Sequence, residues 1–136
     1  LNVARSNAQA LGLSDRCEFL ECTWTDDKET GDKWFDRLPP ASLVIANPPY
    51  VEASAQLEPT VREFEPAGAL FAGADGLDDY RVIIPSLREF LRPDAPAILE
   101  IGAAQAAAVT EIAQEQGFAA EVRHDLANRP RALILR

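Results

Sequence analysis

The sequence has one histidine, His124, and two cysteines, Cys17 and Cys22, among its 136 residues. A lone imidazole in a stretch that reads as a strand leaves no Ser–His or Cys–His pair for nucleophilic catalysis. The cysteines lie an odd number of positions apart on an expected strand, residues 17–22. They should face opposite ways, which argues against a disulfide or a shared metal. No apolar run approaches the length of a membrane span, and the opening Leu1-Asn2-Val3-Ala4-Arg5 is not a signal peptide. A reducing, cytoplasmic setting is the expectation. Methionine is absent altogether, so there is no initiator, and the first helical pattern opens without an obvious cap.

Basic residues are scarce. There are 13 Lys and Arg against 22 Asp and Glu, a formal charge of −9 with a pI near 4.5. That balance opposes a phosphate-backbone partner, since nucleic-acid binders carry a basic face, and favours a protein or small-molecule partner. Solubility is the plainer reading of the same acidity. The acidic group Asp75, Asp78 and Asp79 does not have the spacing of a calcium loop. Asp75 reads as a helix N-cap, and the other two read as first-turn charges that suit the helix dipole. The seven glycines are dispersed and no Gly-x-Gly occurs. A glycine-rich phosphate turn, and the acidic residue that follows such a turn at the end of a second strand, are both missing.

What is present suits one domain of ordinary size, with 47% hydrophobic residues. Residues 2–11 have helical spacing and Gly12 as a stop. Residues 42–46, Ser42-Leu43-Val44-Ile45-Ala46, read as a buried strand, and residues 52–65 as a polar loop. Residues 77–91 are helical, with Pro85 expected to kink or split the helix. Residues 97–101 form a strand in which Glu100 is out of place. Residues 105–116 form a helix stopped by Gly117. Residues 118–125 and 131–135 form an antiparallel pair joined near Asn128-Arg129-Pro130.

The most informative stretch is Asn47-Pro48-Pro49-Tyr50, where the strand at 42–46 runs out into a loop. In open α/β sheets ligands bind just beyond the carboxyl ends of strands. Pro49 keeps its predecessor out of helical geometry and both prolines fix φ. The Pro48 carbonyl is therefore held on stiff backbone beside the Asn47 side-chain oxygen. Two such acceptors can grip the two hydrogens of a planar –NH2 group while Tyr50 packs on its face. Acceptors preorganised for the positive charge that develops on nitrogen would help an amide or aryl amine attack an electrophilic methyl group. The bland alternative is a Pro-Pro turn that ends a strand.

Several stretches in order bear on that choice: Asn7-Ala8 with Leu11-Gly12-Leu13; Ala46 to Val51 around the tetrapeptide; and Glu65-Pro66 followed by Ala69-Leu70-Phe71-Ala72-Gly73-Ala74-Asp75-Gly76-Leu77. Leu99-Glu100-Ile101-Gly102 with Gln105, and Gly117-Phe118 with Asp125-Leu126-Ala127, complete the set. Across its whole length the chain resembles the HemK-type protein-glutamine methyltransferases, which use S-adenosylmethionine to methylate a glutamine side-chain amide in peptide chain release factors. The resemblance implies an α/β, Rossmann-like S-adenosylmethionine-dependent methyltransferase fold. It also implies that this fold is incomplete, its first two strands and glycine-rich loop absent, so that residues 1–136 are the C-terminal portion of a catalytic domain. Unpaired strand edges and exposed apolar surface are expected, as is inactivity of the chain alone.

By the same resemblance Asn47 and Pro48 are the catalytic acceptors, and Asn47, Pro48, Pro49 and Tyr50 bind the substrate amide. Trp24 and Asn47 touch the cofactor, Trp24 at its adenine end. Thr23 stands where the family has an acidic residue, and Trp24 read without the resemblance is a loop anchor. Residues 65–71 are expected to wall the substrate cleft, with 52–65 lying over the site. No metal is implied. The rival readings are a ribosomal-protein glutamine or the adenine amine of nucleic acid as substrate, and a non-catalytic binding module.

Overall fold

The computed structural model describes residues 1–22, 24, 33, 35, 36 and 38–136. It divides into two compact units, Leu1–Trp34 and Phe35–Arg136. Thr23 and the whole of the polar segment at 25–32 lie outside the described residues.

In the first unit, helix α1 spans Asn2–Ala10. Its end is a full Schellman turn: Gly12 N–H donates to the Gln9 carbonyl (3.1 Å) and Leu13 N–H to the Ala8 carbonyl (2.8 Å). A short 3-10 turn at Ser14–Arg16 follows. Residues 17–22 are not a strand, contrary to the reading from alternation. A strand exists only where a ladder takes up its backbone groups, and none among the described residues pairs with this segment. Cys17 and Cys22 are both free and exposed.

The second unit holds a four-stranded sheet built from β1 (Val44–Ala46), β2 (Ala97–Glu100), β3 (Ala120–His124) and β4 (Pro130–Leu135). Their order is β1-β2-β4-β3. β1 and β2 are parallel, Ile45 opposite Ile98. β4 runs antiparallel to both β2 and β3. The connection between β1 and β2 carries helix α2 (Pro59–Phe64) and helix α3 (Asp78–Phe90), and α4 (Ala106–Glu115) links β2 to β3.

The core lies between the sheet and these helices. α3 contributes Tyr80, Ile83, Ile84 and Leu87, α4 contributes Val109 and Ala113, and the sheet contributes Ala97, Leu99, Leu133 and Leu135, each at most 1% exposed. Alternation in β2 places Ala97 and Leu99 inward. α3 is one unbroken helix through Pro85, so the expected split does not occur. An interior proline costs about 3 kcal/mol. Complete burial of the four side chains around it outweighs that, since each contributes about 1.5–3 kcal/mol.

Asp75 is not the cap of α3. Leu77 takes that position, and Asp75 instead accepts hydrogen bonds from the Arg81 guanidinium at 2.6 and 3.0 Å. Asp78 and Asp79 do sit in the first turn. Residues 52–65, read as loop, contain the six-residue α2 with Pro59 in its first turn, where a fixed φ and a missing N–H are harmless. The hairpin of β3 and β4 forms as expected, Asn128 taking a positive φ of 59° in its turn. β1 is an edge strand, and its Ile45 is 72% exposed. Among the described residues no helix is long and apolar enough to cross a membrane, and no cluster of His, Cys, Asp or Glu is placed to hold a metal.

Candidate functional site

The tetrapeptide Asn47–Tyr50 leaves the carboxyl end of β1 as irregular backbone, where the strand run predicts it. Asn47 is exposed, Pro48 is fully buried, and Pro49 and Tyr50 are half-buried. Neither the Asn47 side chain nor the Pro48 carbonyl takes part in a hydrogen bond among the described residues. The exposed Asn47 side chain can bond to water, whereas a carbonyl on the buried Pro48 without a donor is rare.

Immediately downstream the backbone is tied down. Val51 N–H donates to the Leu70 carbonyl (2.8 Å), Ala72 N–H to the Val51 carbonyl (2.9 Å), and Ala53 N–H to the Gly73 carbonyl (2.8 Å). This short parallel pairing makes residues 70–73 a rail beside the tetrapeptide's exit. Beyond it opens a cavity of about 750 Å³, with Ala53, Gln56, Arg62, Glu65, Leu70 and Phe71 in its walls. Glu65, Ala67, Leu70 and Phe71 line this cavity, and none of Asn47–Tyr50 is among its lining residues.

The Tyr50 ring is held at its far end. Its hydroxyl donates to Glu100 Oε1 (3.2 Å) and accepts from Arg131 Nη1 (3.4 Å). Arg131 also lies 3.9 Å from the same carboxylate. Burial, and then the adjacent Glu100 charge, push the Tyr50 phenol above its ordinary range, with Arg131 opposing. Tyr80, from α3, donates to the Glu100 backbone carbonyl at 2.7 Å and is shifted strongly upward by burial. Glu100, out of place in the strand pattern, therefore receives the Tyr50 hydroxyl on a half-buried sheet end.

Gln105, one residue before α4, was visible only as part of a matching stretch. Its side-chain amide reaches Tyr50, Gly76 and Gly102 at once. No local pattern could reveal this, because Gln105 is 55 residues from Tyr50 in the chain. Trp24 belongs to the first unit and is half-buried. His124 is exposed on β3.

No family profile matches the chain. A solved O-methyltransferase family protein from Burkholderia thailandensis has the same fold, with a TM-score of 0.59 at 15% identity over 99% of this chain and 40% of that one. The chain therefore carries part of a Rossmann-like methyltransferase fold. It is also 41% identical, over its full length, to a release factor glutamine methyltransferase of Cereibacter sphaeroides, covering 47% of that protein. A second relative of the same name, from Rhodospirillum rubrum, is 34% identical over the full length of this chain, which covers 40% of it. Over its whole length the chain is similar to proteins named release factor glutamine methyltransferase, and it spans under half the length of these relatives.

Proposed function

We propose that the protein transfers a methyl group from S-adenosylmethionine to the side-chain amide of a glutamine in a peptide chain release factor, residues 1–136 being part of its catalytic domain. The observation that carries this reading is the pair of acceptors, the Asn47 side chain and the Pro48 carbonyl, that make no hydrogen bond among the described residues and sit on backbone clamped just downstream. A primary amide offers two hydrogens in one plane, which is the complement of two fixed acceptors.

An amide nitrogen is a weak nucleophile because its lone pair is delocalised into the carbonyl. As the nitrogen bonds to carbon it gains positive charge, and its two hydrogens become stronger donors. Acceptors held in place beforehand stabilise that charge without reorganisation, an effect worth about 3–4 kcal/mol for one well-placed group. Tyr50, its hydroxyl anchored on Glu100, offers a ring face to the amide plane. The proton is lost after attack, and no side chain is assigned as a dedicated base. S-adenosylmethionine, when bound, supplies the electrophilic methyl. Within the second unit, the exposed Asn47 would stand beside the bound cofactor.

The cavity of about 750 Å³ lined by residues 53–57 with Arg62, Glu65, Ala67, Leu70 and Phe71 is the proposed place for the segment that carries the glutamine. The formal charge of −9 disfavours nucleic acid as the alternative bearer of the amine. A release factor as substrate places the protein in the cytoplasm. The test is labelled-methyl incorporation into a purified release factor by the full-length protein and its Asn47→Ala variant. Incorporation that falls about 100-fold or more with Asn47→Ala, and vanishes when the target glutamine becomes alanine, supports the reading. Incorporation indifferent to both changes overturns it.

A further inference from the structure

We infer that Gln105 is a positioning residue for the Asn47–Tyr50 acceptors, a side-chain staple that sets where the tetrapeptide stands; this rests on the reading of that stretch as the amide site. The side-chain amide of Gln105 has a full set of partners on three separate pieces of backbone. Its Oε1 accepts from Gly102 N–H (3.0 Å), and its Nε2 donates to the Tyr50 carbonyl (3.0 Å) and the Gly76 carbonyl (3.2 Å). The orientation of the amide is forced, because one partner is a donor and the other two are acceptors.

Two glycines make the slot. A Cβ on Gly102 would stand 2.6 Å from Gln105 Oε1, and one on Gly76 would stand 2.7 Å from Nε2 while colliding with the Tyr50 carbonyl. Gly76 also holds a positive φ of 71°. The end of β2, the turn before α3 and the exit of the tetrapeptide are thus joined through one side chain that does not cap the helix it precedes. Glu100, five residues earlier, holds the Tyr50 ring. Gln105 holds its backbone, two residues from the Pro48 carbonyl. A displacement of about 1 Å in such acceptors can cost 100-fold in rate.

Glutamate at this position separates positioning from packing. A carboxylate has the same shape and still accepts from Gly102, but faces two carbonyls with no donor. Its protonated form regains one donor. In the full-length protein, Gln105→Glu is expected to lower kcat on a release factor about 30-fold or more at pH 8, with KM for S-adenosylmethionine within threefold of the parent. Its activity relative to the parent should recover at least fivefold as pH falls to 6, because the two carbonyls and burial raise the carboxyl's pKa. Gln105→Ala should show the loss without the recovery. Equal activity of parent and variants, or a Gln105→Glu ratio flat with pH, overturns the inference.

If the parent transfers no methyl group to any release factor, the reading of the site fails, and the staple is judged separately by amide hydrogen exchange. Exchange at Val51 and Leu77 at least tenfold faster in Gln105→Ala than in the parent supports the staple, and unchanged exchange overturns it.

Discussion

Replacing Gly76 with alanine should cost far more stability than the same change at Gly117, although both glycines have a similar positive φ, 71° and 76°. An L-residue in that left-handed region costs about 1–2 kcal/mol, a loss the two variants share. At Gly117 the added methyl meets only Arg88, Nη2 at 3.1 Å, and a shift of a few tenths of an ångström in that guanidinium relieves the contact while its bond to the Gln116 carbonyl and its stacking on Phe118 are kept. At Gly76 it meets the Tyr50 backbone carbonyl and the Gln105 amide, neither of which has room to retreat. Forcing packed groups apart costs about 1–3 kcal/mol. Pushing Gln105 aside leaves two carbonyls without a donor, at about 1 kcal/mol each. Gly117→Ala should therefore lose about 1–2 kcal/mol and Gly76→Ala about 4–7 kcal/mol. Urea unfolding followed by circular dichroism gives both values from midpoint shifts at constant slope. Equal losses at the two positions would refute the claim that the turn before α3 is locked against the tetrapeptide.

Other outcomes follow from the same contacts. Tyr50→Phe removes the hydroxyl between Glu100 and Arg131 and should cost about 1 kcal/mol; comparison of absorbance titrations of the parent and this variant should show Tyr50 ionising above the ordinary phenol range, since burial raises its pKa. The Asp75 and Asp125 carboxyls are held below the usual range, chiefly by hydrogen bonds from Arg81 and from the Arg129 backbone N–H. Their folded pKa values lie under the unfolded ones, so their contribution is present above about pH 3.9 and lost as pH falls through the folded values. The stability gap between the parent and Asp75→Asn or Asp125→Asn, read from urea midpoints, should accordingly be open at pH 7 and shrink as the pH is lowered through the acid range. Leu99→Ala, at a fully buried position, should cost about 2–5 kcal/mol, whereas Ile45→Ala, 72% exposed on the edge strand, should stay within about 0.5 kcal/mol.

The sheet's order of elements and the position of the tetrapeptide were legible because each rests on local signals. These are an apolar run before Asn47, the turn residues Asn128-Arg129-Pro130 between two strand segments, and glycine stops at Gly12 and Gly117. The supports of the site were not legible. Glu100 and Arg131 meet Tyr50 from 50 and 81 residues away in the chain, and Gln105 from 55. No periodicity carries such distances. Local rules failed where tertiary terms overrode them. Pro85 stays inside α3 because the surrounding face is wholly buried, and Asp75 gives up the cap for a two-point pairing with Arg81. Residues 17–22 alternate loosely, but alternation cannot supply the neighbouring strand a ladder needs.

The most direct test of the account is mass-spectrometric mapping of a release factor incubated with the full-length protein and S-adenosylmethionine. One added methyl on a glutamine side-chain amide, absent when Asn47→Ala replaces the parent, is the result predicted. A methyl group found on any other atom, or an unchanged product with Asn47→Ala, would contradict the assignment of Asn47 and Pro48 as the acceptors of the reacting amide.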